Sequence, residues 1–598
     1  MTALPTWLAT FPAGGLSRRR FLGAAAGGAG AATLIACGGS GDGGDTPQLT
    51  VDPAGVRTPG AVVFTRDEWQ LADETAHAVP GGVYTGRELL DLTSSWDPWL
   101  ANVGLVEDFN DISYEYLTRG NRGPGISPAS TEYTKVMPHL AEGWEVSSDS
   151  LSYTFTLRQG VKFHPMAPVN ARVMDIDDWR TSFERFLEIG SNRATLMALL
   201  DKVEYPDARH MVVKMKAPYG PFLSRMNDKD FAVKIVPKEL NANDQMRATT
   251  QIGTNYRMVD SVQPSVSRNF KRWDDYWGGK PFIERWAYPI IPEASNAYGQ
   301  FIAKNIISVA PASRDVLKVR QDVPDALIVG LPLSRMFARG LFGKREAMTM
   351  PWKDARVRIA IRKAVNYDAI LDFQSNREAF SAAGIEVETV YGTHGNYDPL
   401  FYLDPTKGDL GKDGDNYLYD VAEAKRLVDA AGFVDGFDID YVALQGSRVE
   451  IQQLMIDELK KSGFIRPADR WLNTQEYYDA VTYAADFKGL AITSAPGNTE
   501  PDYALYQNYH SSGRATSPYA SAEMDDIVQR QRRELDPLKR IEVLKEFQRY
   551  AAKTFPHMAT HHLFGAFRFD WPWLHNVNYD LQQGHKHWLD ADMPRRNG

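Results

Sequence analysis

The sequence predicts an α/β protein with more than one lobe. The chain has 598 residues, more than a single hydrophobic core normally organises. Amphipathic helices alternate with short strands along most of its length, which is typical of α/β lobes. The hydrophobic fraction of 43% and the charged fraction of 24% are those of an ordinary globular protein. The net charge of −9 disfavours nucleic acid or an anionic membrane surface as the main partner.

The amino-terminal residues have the features of an export signal. Arg18, Arg19 and Arg20 precede an apolar run, rich in Ala and Gly, that is too short to cross a bilayer comfortably. A twin arginine before such a run is similar to a Tat export signal. A Sec signal that carries two arginines is the alternative. We therefore predict a signal peptide over residues 1–36.

Cys37 is the only cysteine of the chain, so an intramolecular disulfide is excluded. It ends the tetrapeptide Leu-Ile-Ala-Cys, which resembles the lipobox of bacterial lipoproteins. We predict lipid attachment at Cys37, and a buried small hydrophobic residue is the alternative. Residues 37–59 begin with a Gly- and Asp-rich stretch that cannot bury a core, so we expect a flexible linker. The expected arrangement is a globular body tethered to a membrane by a lipid, without a transmembrane helix.

A β-hairpin is the clearest local pattern in the body of the chain. Trp144 and Val146 begin one strand, and the Ser-Ser-Asp-Ser sequence of residues 147–150 supplies turn residues. The second strand alternates polar with apolar residues at a period of two, which predicts one buried face. The apolar residues of that face are Leu151, Tyr153, Phe155 and Leu157.

Several later helices can be predicted from local signals. Asp420 and Glu423 have the spacing of a capping box, and Gly432 follows as a helix terminator. Asp536 and Pro537 supply an N-cap and a first-position proline. Apolar residues at helical spacing predict the buried faces: Leu538, Ile541, Leu544 and Phe547 in this last helix, and Val357, Ile361, Ala364, Ile370 and Leu371 along one earlier stripe.

Four separate stretches also resemble the motifs of one protein family. Residues 138–164 read PHLAEGWEVSSDSLSYTFTLRQGVKFH, and residues 273–281 read WDDYWGGKP. Residues 252–259 and 351–360 are similar to two further elements of the same family. The resemblance is to the solute-binding component of ABC importers of the peptide and opine-nickel type, the extracytoplasmic family 5 binding proteins.

The resemblance implies a periplasmic-binding-protein-like fold of class II, cluster C type. Such a fold has two main α/β lobes joined by a hinge, plus a smaller extra domain. The expected division assigns residues 60–112, 226–293 and 561–598 to lobe I, residues 113–225 to the extra domain, and residues 294–560 to the ligand-binding lobe II.

The function that the resemblance implies is capture of a solute. The lobes would close by a hinge on a peptide-like ligand, and the closed form would deliver it to ABC permease subunits. A carrier of an opine, an oligosaccharide or a metal chelate, and a surface binding lipoprotein without a permease, are the alternatives. We expect an extracytoplasmic monomer, in the periplasm or at the cell surface, that is anchored through Cys37 and uses no cofactor.

We expect neither enzymatic activity nor a metal site. The sequence contains no Walker A motif, HExxH, nucleophile elbow or CxxC. His557 and His561 have a spacing at which two histidines on a helix can share a metal. However, Pro556 precedes them and three phenylalanines follow, so the segment resembles a strand.

The resemblance also implies which residues face the ligand. In peptide-binding members, residues after an Asp-Pro loop pair with the ligand backbone, and an aromatic residue after Gln-Glu stacks on ligand side chains. The strand before a Glu/Asp-Pro-Asp motif supplies main-chain partners. Packing in the scaffold is the alternative for each candidate. The candidates in this chain are Asn102, Val103, Gly104, Tyr477, Thr493, Ser494, Ala495, Pro496, Glu500, Asp502, Tyr503 and His562.

One departure from the family pattern concerns the substrate. Peptide-binding relatives often carry an aspartate a few residues before the Glu/Asp-Pro pair, and it binds the α-amino group of the peptide. In this chain residues 496–499 read Pro-Gly-Asn-Thr. Because a buried ammonium without a counter-charge is costly, a peptide with a free amino terminus is disfavoured unless Glu500 or another acid substitutes.

Overall fold

The computed structural model describes most of the chain after the predicted signal and lipid site. Arg18, Arg19 and Cys37 lie outside the described residues, so the signal and anchor stay predictions. The described residues are 52–591, without 65–70, 90, 92–94, 101–103, 128–129, 192, 227–232, 332–337, 345–346, 376, 386–387, 395–397, 446–448, 495–499, 514–517, 565 and 581.

Helices and strands alternate through the described chain, as expected for α/β lobes. The α-helices are Pro53–Val56, Gly104–Ser113, Ile176–Ile189, Arg193–Leu199, Phe222–Arg225, Lys238–Asn241, Asp244–Thr249, Ala294–Ile302, Val316–Asp322, Ala355–Lys363, Tyr367–Ser375, Arg377–Ala382, Val421–Ala430, Val449–Lys461, Thr474–Tyr477, Pro501–Tyr509, Ala522–Arg533 and Pro537–Thr554. The 3-10 helices are Thr75–His77, Thr131–Thr134, Ser313–Asp315, Ala347–Thr349, Pro351–Lys353, Pro405–Lys407, Gly411–Tyr417 and Gly584–Lys586. Within the described residues, no helix is both long and apolar enough to cross a membrane.

The strands form several separate sheets. One four-stranded sheet contains, in spatial order, Val62–Phe64, Leu327–Leu331, Ala566–Asp570 and Ser308–Val309, and a second contains Val83–Thr85, Arg285–Pro289, Ser267–Arg272 and Arg257–Gln263. The hairpin sheet contains Ala141–Val146, Ser152–Leu157, His210–Met215 and Leu200–Glu204. The five-stranded sheet contains Ile465–Leu472, Phe437–Leu444, Leu490–Ser494, Ala338–Phe342 and Met558–Ala559. Two-stranded pairs are Glu388–Tyr391 with His561–Phe564, Leu574–His575 with Trp588–Leu589, and Thr118–Gly120 with Val136–Pro138.

The predicted hairpin is confirmed, but its first strand begins at Ala141 and ends at Val146, earlier than the sequence suggested. Tyr153, Phe155 and Leu157 are buried at alternate positions of the second strand, and Trp144 lies opposite Phe155. Ser150 closes the turn with a positive φ of 58°. A third strand, His210–Met215, pairs with the hairpin, so the buried face becomes part of a larger core with the helix around Trp179.

The predicted helix caps are also confirmed, with one correction to the buried faces. The Asp420 carboxylate accepts a hydrogen bond from the Glu423 amide at 2.9 Å, and Asp536 caps the helix Pro537–Thr554. Leu544 and Phe547 are buried in that helix. Leu538 is 63% exposed, so its place in the buried face was wrong. It lies in the first turn, before the part of the helix that packs on the core.

The stripe predicted from Val357 to Leu371 is buried but belongs to two helices, not one. Ala355–Lys363 and Tyr367–Ser375 are separated by a short break. The Asn366 side-chain oxygen accepts a hydrogen bond from the Ala369 amide at 3.1 Å, which is an N-cap interaction. This cap starts a new helix inside the apolar pattern, and hydrophobic periodicity alone does not show such a break.

The sheet that contains Val62–Phe64 brings distant parts of the chain together. Its strands Ser308–Val309 and Leu327–Leu331 come from the segment expected in lobe II, whereas Ala566–Asp570 comes from the final segment expected in lobe I. Strand pairing does not by itself delimit lobes, so the division of the chain stays a prediction.

The five-stranded sheet has one edge at which several strand ends meet. Its strands Phe437–Leu444, Ile465–Leu472 and Leu490–Ser494 run parallel, so their carboxyl ends lie on the same side. The antiparallel strand Ala338–Phe342 begins there, since Ala338 pairs with Ser494. We name this side the carboxyl edge. In open α/β sheets, ligands bind outside the carboxyl ends of the strands.

Candidate functional site

Two of the sequence-predicted ligand residues have side chains held by hydrogen bonds at the carboxyl edge. Thr493 is buried near the end of its strand, and its hydroxyl is 3.1 Å from that of Thr482. Tyr477 ends the helix Thr474–Tyr477, is buried, and donates a hydrogen bond from its hydroxyl to the carbonyl of Ile492. These bonds fix both side chains against the strand.

Arg339 lies beside Thr493 on the neighbouring strand. It pairs directly with Thr493 on one side and with Ala559 on the other, so its side chain shares a face of the sheet with theirs. The residue is only 6% exposed. Burial lowers the pKa of its guanidinium to about 10, and a hydrogen bond with the Tyr509 hydroxyl opposes that shift. The side chain is therefore still a cation at neutral pH.

The hydrogen bonding of Arg339 is incomplete within the described part of the chain. Its Nε and Nη1 atoms have no partner there. A buried donor that lacks a partner costs about 1–3 kcal/mol, and more when it carries charge. Such groups are uncommon in native proteins and call for a specific explanation.

Two aromatic side chains, Tyr509 and His557, lie next to Arg339. The Tyr509 ring stacks on His557 with centroids 4.8 Å apart, and its hydroxyl donates to the His394 carbonyl at 2.5 Å. Burial, together with the charge of Arg339, lowers the pKa of His557 well below its usual value. Burial also raises the pKa of Tyr509 to about 12. Both rings are consequently neutral near pH 7.

Glu500 follows the carboxyl edge and is already paired. Its carboxylate caps the helix Pro501–Tyr509 by accepting from the Asp502 amide at 3.1 Å. The guanidinium of Arg540 donates to both carboxylate oxygens, and the Ser224 hydroxyl donates to one of them at 2.9 Å. Burial by itself would lower the pKa of Arg540, but the charge of Glu500 raises it above its usual value.

The Asp502 carboxylate is also bound by other side chains of the protein. It accepts hydrogen bonds from Tyr219 at 2.6 Å and from Gln531 at 2.7 Å, and it forms an ion pair with Arg532 at 3.1 Å. Arg225 lies over the ring of Tyr503 at 5.4 Å. These interactions join the segment 219–225 to the helices that follow the carboxyl edge.

The remaining site candidates are positioned as follows. Gly104 is the first residue of its helix, Ser494 pairs with Ala338, and His562 pairs with Val390. Asn102, Val103, Ala495 and Pro496 lie outside the described residues. The assignment of the candidates to ligand contacts therefore stays a prediction.

The histidine segment forms strands, as the sequence suggested. Met558–Ala559 joins the five-stranded sheet, and His561–Phe564 pairs with Glu388–Tyr391. Among the residues that the structure describes, no group of three or more His, Cys, Asp or Glu side chains is placed to hold a metal ion.

Sequence reasoning missed Arg339 and the arginines that pair with the two acids. A lone arginine inside the apolar stretch Phe-Ala-Arg-Gly-Leu-Phe is the signal that could have found Arg339, because charged residues are almost never fully buried without a partner. Chemically, the carboxyl edge offers cationic and neutral hydrogen-bond donors among aromatic rings, which suits binding and orienting a ligand.

A family model covers most of the described body. Residues 135–528 match the model described as "Bacterial extracellular solute-binding proteins, family 5 Middle". The chain is also 27% identical, over 452 residues, to the dipeptide-binding protein of Escherichia coli K12. That match covers 69% of this chain and 78% of the relative.

Solved structures agree on the fold. The periplasmic binding protein DppA of Helicobacter pylori, solved in complex with peptide STSA, superposes with a TM-score of 0.65 and 19% identity. This match covers 86% of this chain and 99% of that one. The binding protein MoaA of A. tumefaciens R10, in complex with mannopinic acid, gives a TM-score of 0.61 and 20% identity, with 86% and 100% covered. The periplasmic-binding-protein-like fold predicted from the sequence is thus confirmed.

Proposed function

The chain belongs to the bacterial extracellular solute-binding proteins of family 5, and on that premise we propose that it captures a peptide-like solute for an ABC importer. The observation that carries this proposal is the family match over residues 135–528. The relative named a dipeptide-binding protein, and the neighbour solved with a peptide, support the peptide class.

We place the solute at the carboxyl edge, between the five-stranded sheet and the rest of the molecule. Tyr477 and Thr493 are held there by hydrogen bonds, and Arg339 lies next to them. Rigid aromatic and polar groups of this kind give affinity and orientation in a ligand cleft. The ligand-bearing lobe would begin after Leu331, because the strand Leu327–Leu331 pairs with Val62–Phe64.

Capture would proceed by hinge closure. The bonds from Tyr219 and Ser224 to Asp502 and Glu500 join the segment 219–225 to the helices beyond the carboxyl edge. We propose that these bonds form when the lobes close and that they hold the closed form, which a permease would accept. Binding and closure require no catalytic group, so the protein would act as a carrier and not as an enzyme.

The site of action would be extracytoplasmic. We propose that a Tat-type signal exports the chain and that a lipid on Cys37 anchors the monomer to a membrane. The acidic body would then face the solution from the end of a flexible linker.

A non-peptide anionic solute is the second candidate. The neighbour solved with mannopinic acid has the same fold, and both Glu500 and Asp502 are already paired with arginines. A solute without an ammonium group would not need the carboxylate that residues 496–499 lack.

Native mass spectrometry of the intact chain, purified from its own host, tests these proposals. We expect a bound mass that fragments with losses of amino-acid residues. A single discrete mass without such losses would contradict the peptide class and support the second candidate. A ligand-free mass that neither a peptide mixture nor mannopinic acid shifts would contradict solute capture itself.

A further inference from the structure

We propose that the helix Arg377–Ala382 and the strand Glu388–Tyr391 form a strap across the hinge, which fixes the direction in which the lobes open and limits how far they open. We name these two elements the hinge strap. Its role rests on the proposed function, because it governs the closure by which the solute is captured. The strap packs against two different cores, pairs with the strand that connects their sheets, and is fastened at both ends.

The chain passes from one hydrophobic core to another at the start of the hinge strap. Ile370, in the helix Tyr367–Ser375, belongs to the core beside the five-stranded sheet, which we call the second core. Phe380, in the strap helix, is 1% exposed and belongs to the core on the sheet that contains Val62–Phe64, which we call the first core. Its ring lies edge-to-face with Phe567 of that sheet, with centroids 5.4 Å apart.

Two further contacts hold this end of the hinge strap in the first core. Ile385 follows the strap helix and is fully buried in the same core as Phe380. The Ala383 carbonyl accepts a hydrogen bond from the Arg320 guanidinium at 2.8 Å. Arg320 lies in the helix Val316–Asp322, which contributes buried valines to the first core. The strap helix is therefore part of the first core, although the helix before it packs in the second.

The other end of the hinge strap is fastened beside the five-stranded sheet. Tyr391 packs against the cluster that contains Phe555 and Ala559, and Ala559 belongs to that sheet. Two residues further on, the Thr393 hydroxyl donates a hydrogen bond to the side-chain oxygen of Gln548 at 2.7 Å. Thr393 and Gln548 are each 1% exposed. The chain thus returns from the first core along the strap strand.

The strap strand pairs with the strand that connects the two sheets. His561–Phe564 follows Met558–Ala559 of the five-stranded sheet and precedes Ala566–Asp570 of the sheet in the first core. It runs antiparallel to the strap strand over four residue pairs. The Gly392 amide donates to the Thr560 carbonyl at 2.8 Å, which extends the pairing by one step. A two-stranded ribbon, not a single strand, therefore joins the cores here.

A ribbon across a hinge has one easy direction of bending. Hinges work because a few residues absorb the changes in φ and ψ, and a single connecting strand is free to bend in any direction. In a ribbon, bending out of its plane keeps the hydrogen bonds between the strands, whereas bending within its plane stretches them. Two paired strands alone are only marginally stable in water, so the anchors in both cores keep the ribbon formed. The strap consequently permits closure in one direction and resists wide opening.

Distance measurements on the full-length chain test this inference. Nitroxide labels on Lys318→Cys and Lys461→Cys, in a Cys37→Ser background that removes the only native cysteine, report the separation of the lobes in pulsed electron paramagnetic resonance. The Lys318 side chain is 65% exposed on a helix of the first core. The Lys461 side chain is 70% exposed on a helix of the second core.

Variants at the two anchors are compared with a matched control. Phe380→Ala removes the contact of the strap helix with Phe567. Thr393→Val keeps the size of the side chain but removes the hydrogen bond at the other end. Phe301→Ala is the control, because Phe301 is also fully buried in the first core but its ring lies 5.2 Å from that of Trp571, outside the strap. It leaves a cavity of the same kind as Phe380→Ala does.

We expect one narrow distance distribution for the ligand-free wild type and for Phe301→Ala. Phe380→Ala should broaden the distribution and shift it to longer distances, and Thr393→Val should shift it in the same direction. A distribution that neither strap variant changes, or that Phe301→Ala changes as much as Phe380→Ala does, would overturn the role of the strap. If Phe380→Ala fails to fold, Thr393→Val decides the question.

Failure of the proposed function gives a different result. A mixture of tripeptides of Ala, Leu and Phe should shorten the wild-type distance, because a bound solute favours the closed form. If the mixture leaves the wild-type distance unchanged while both strap variants still lengthen it, capture of peptides by closure is contradicted and the strap is supported.

Discussion

The ion pair between Glu500 and Arg540 offers a quantitative test of how the helices beyond the carboxyl edge are held. The side chains are 7% and 14% exposed, so solvent screens their attraction only weakly. Glu500→Gln keeps the size of the side chain but leaves Arg540 without its counter-charge. Removing one partner of a buried pair costs about 3–5 kcal/mol. Because Arg540 also donates to Gln531 at 2.9 Å, we expect the lower end, about 3 kcal/mol.

The assay is urea unfolding at pH 7, followed by far-ultraviolet circular dichroism. The matched control is Glu142→Gln, which removes the pair with Arg209, whose side chains are 45% and 40% exposed. An exposed pair of this kind contributes about 0–1 kcal/mol. A loss below about 1 kcal/mol for Glu500→Gln, similar to the control, would refute the reasoning that this pair is buried and structural.

Three other perturbations have effects that the structure predicts. Tyr219→Phe removes a hydrogen bond to the Asp502 carboxylate, and such a bond contributes about 1.5–3 kcal/mol. If this bond holds the closed form, the variant should bind peptide about tenfold more weakly in titration calorimetry. Unchanged affinity would contradict that role. Burial lowers the pKa of four histidines to about 4: His164, His394, His585 and His587. Their contribution to the free energy of unfolding should be full above about pH 6.5 and fall as the pH decreases towards 4. A urea midpoint that stays constant over this range would contradict the burial of these histidines. Cys37→Ser should move the protein from the membrane fraction to the soluble fraction in immunoblots, and retention in the membrane fraction would argue against the lipid anchor.

Features set by neighbouring residues could be predicted from the sequence. The hairpin follows from alternation between Leu151 and Leu157, and the caps at Asp420 and Asp536 follow from residues within three positions of them. The family motifs made the fold predictable as well, because they occur in several separate stretches of the chain. Local patterns did not show the break at Asn366, since a capping asparagine interrupts the helix without interrupting the apolar stripe.

The site depends on contacts between residues that are distant in sequence. Arg339 meets Thr493 and Ala559 only through strand pairing, and no periodicity along the chain indicates that pairing. Glu500 and Asp502 were singled out as ligand contacts from their motif. Their pairing with Arg540 and Arg532 depends on how three helices pack, which a linear pattern cannot specify.

Hydrogen–deuterium exchange of the intact protein, with and without the peptide ligand identified by native mass spectrometry, tests the central claim most directly. Binding between closing lobes should slow exchange in three places: the strand Leu490–Ser494, the strand Ala338–Phe342 and the segment 219–225. Protection confined to other parts of the molecule, or no change when the ligand is bound, would contradict capture at the carboxyl edge.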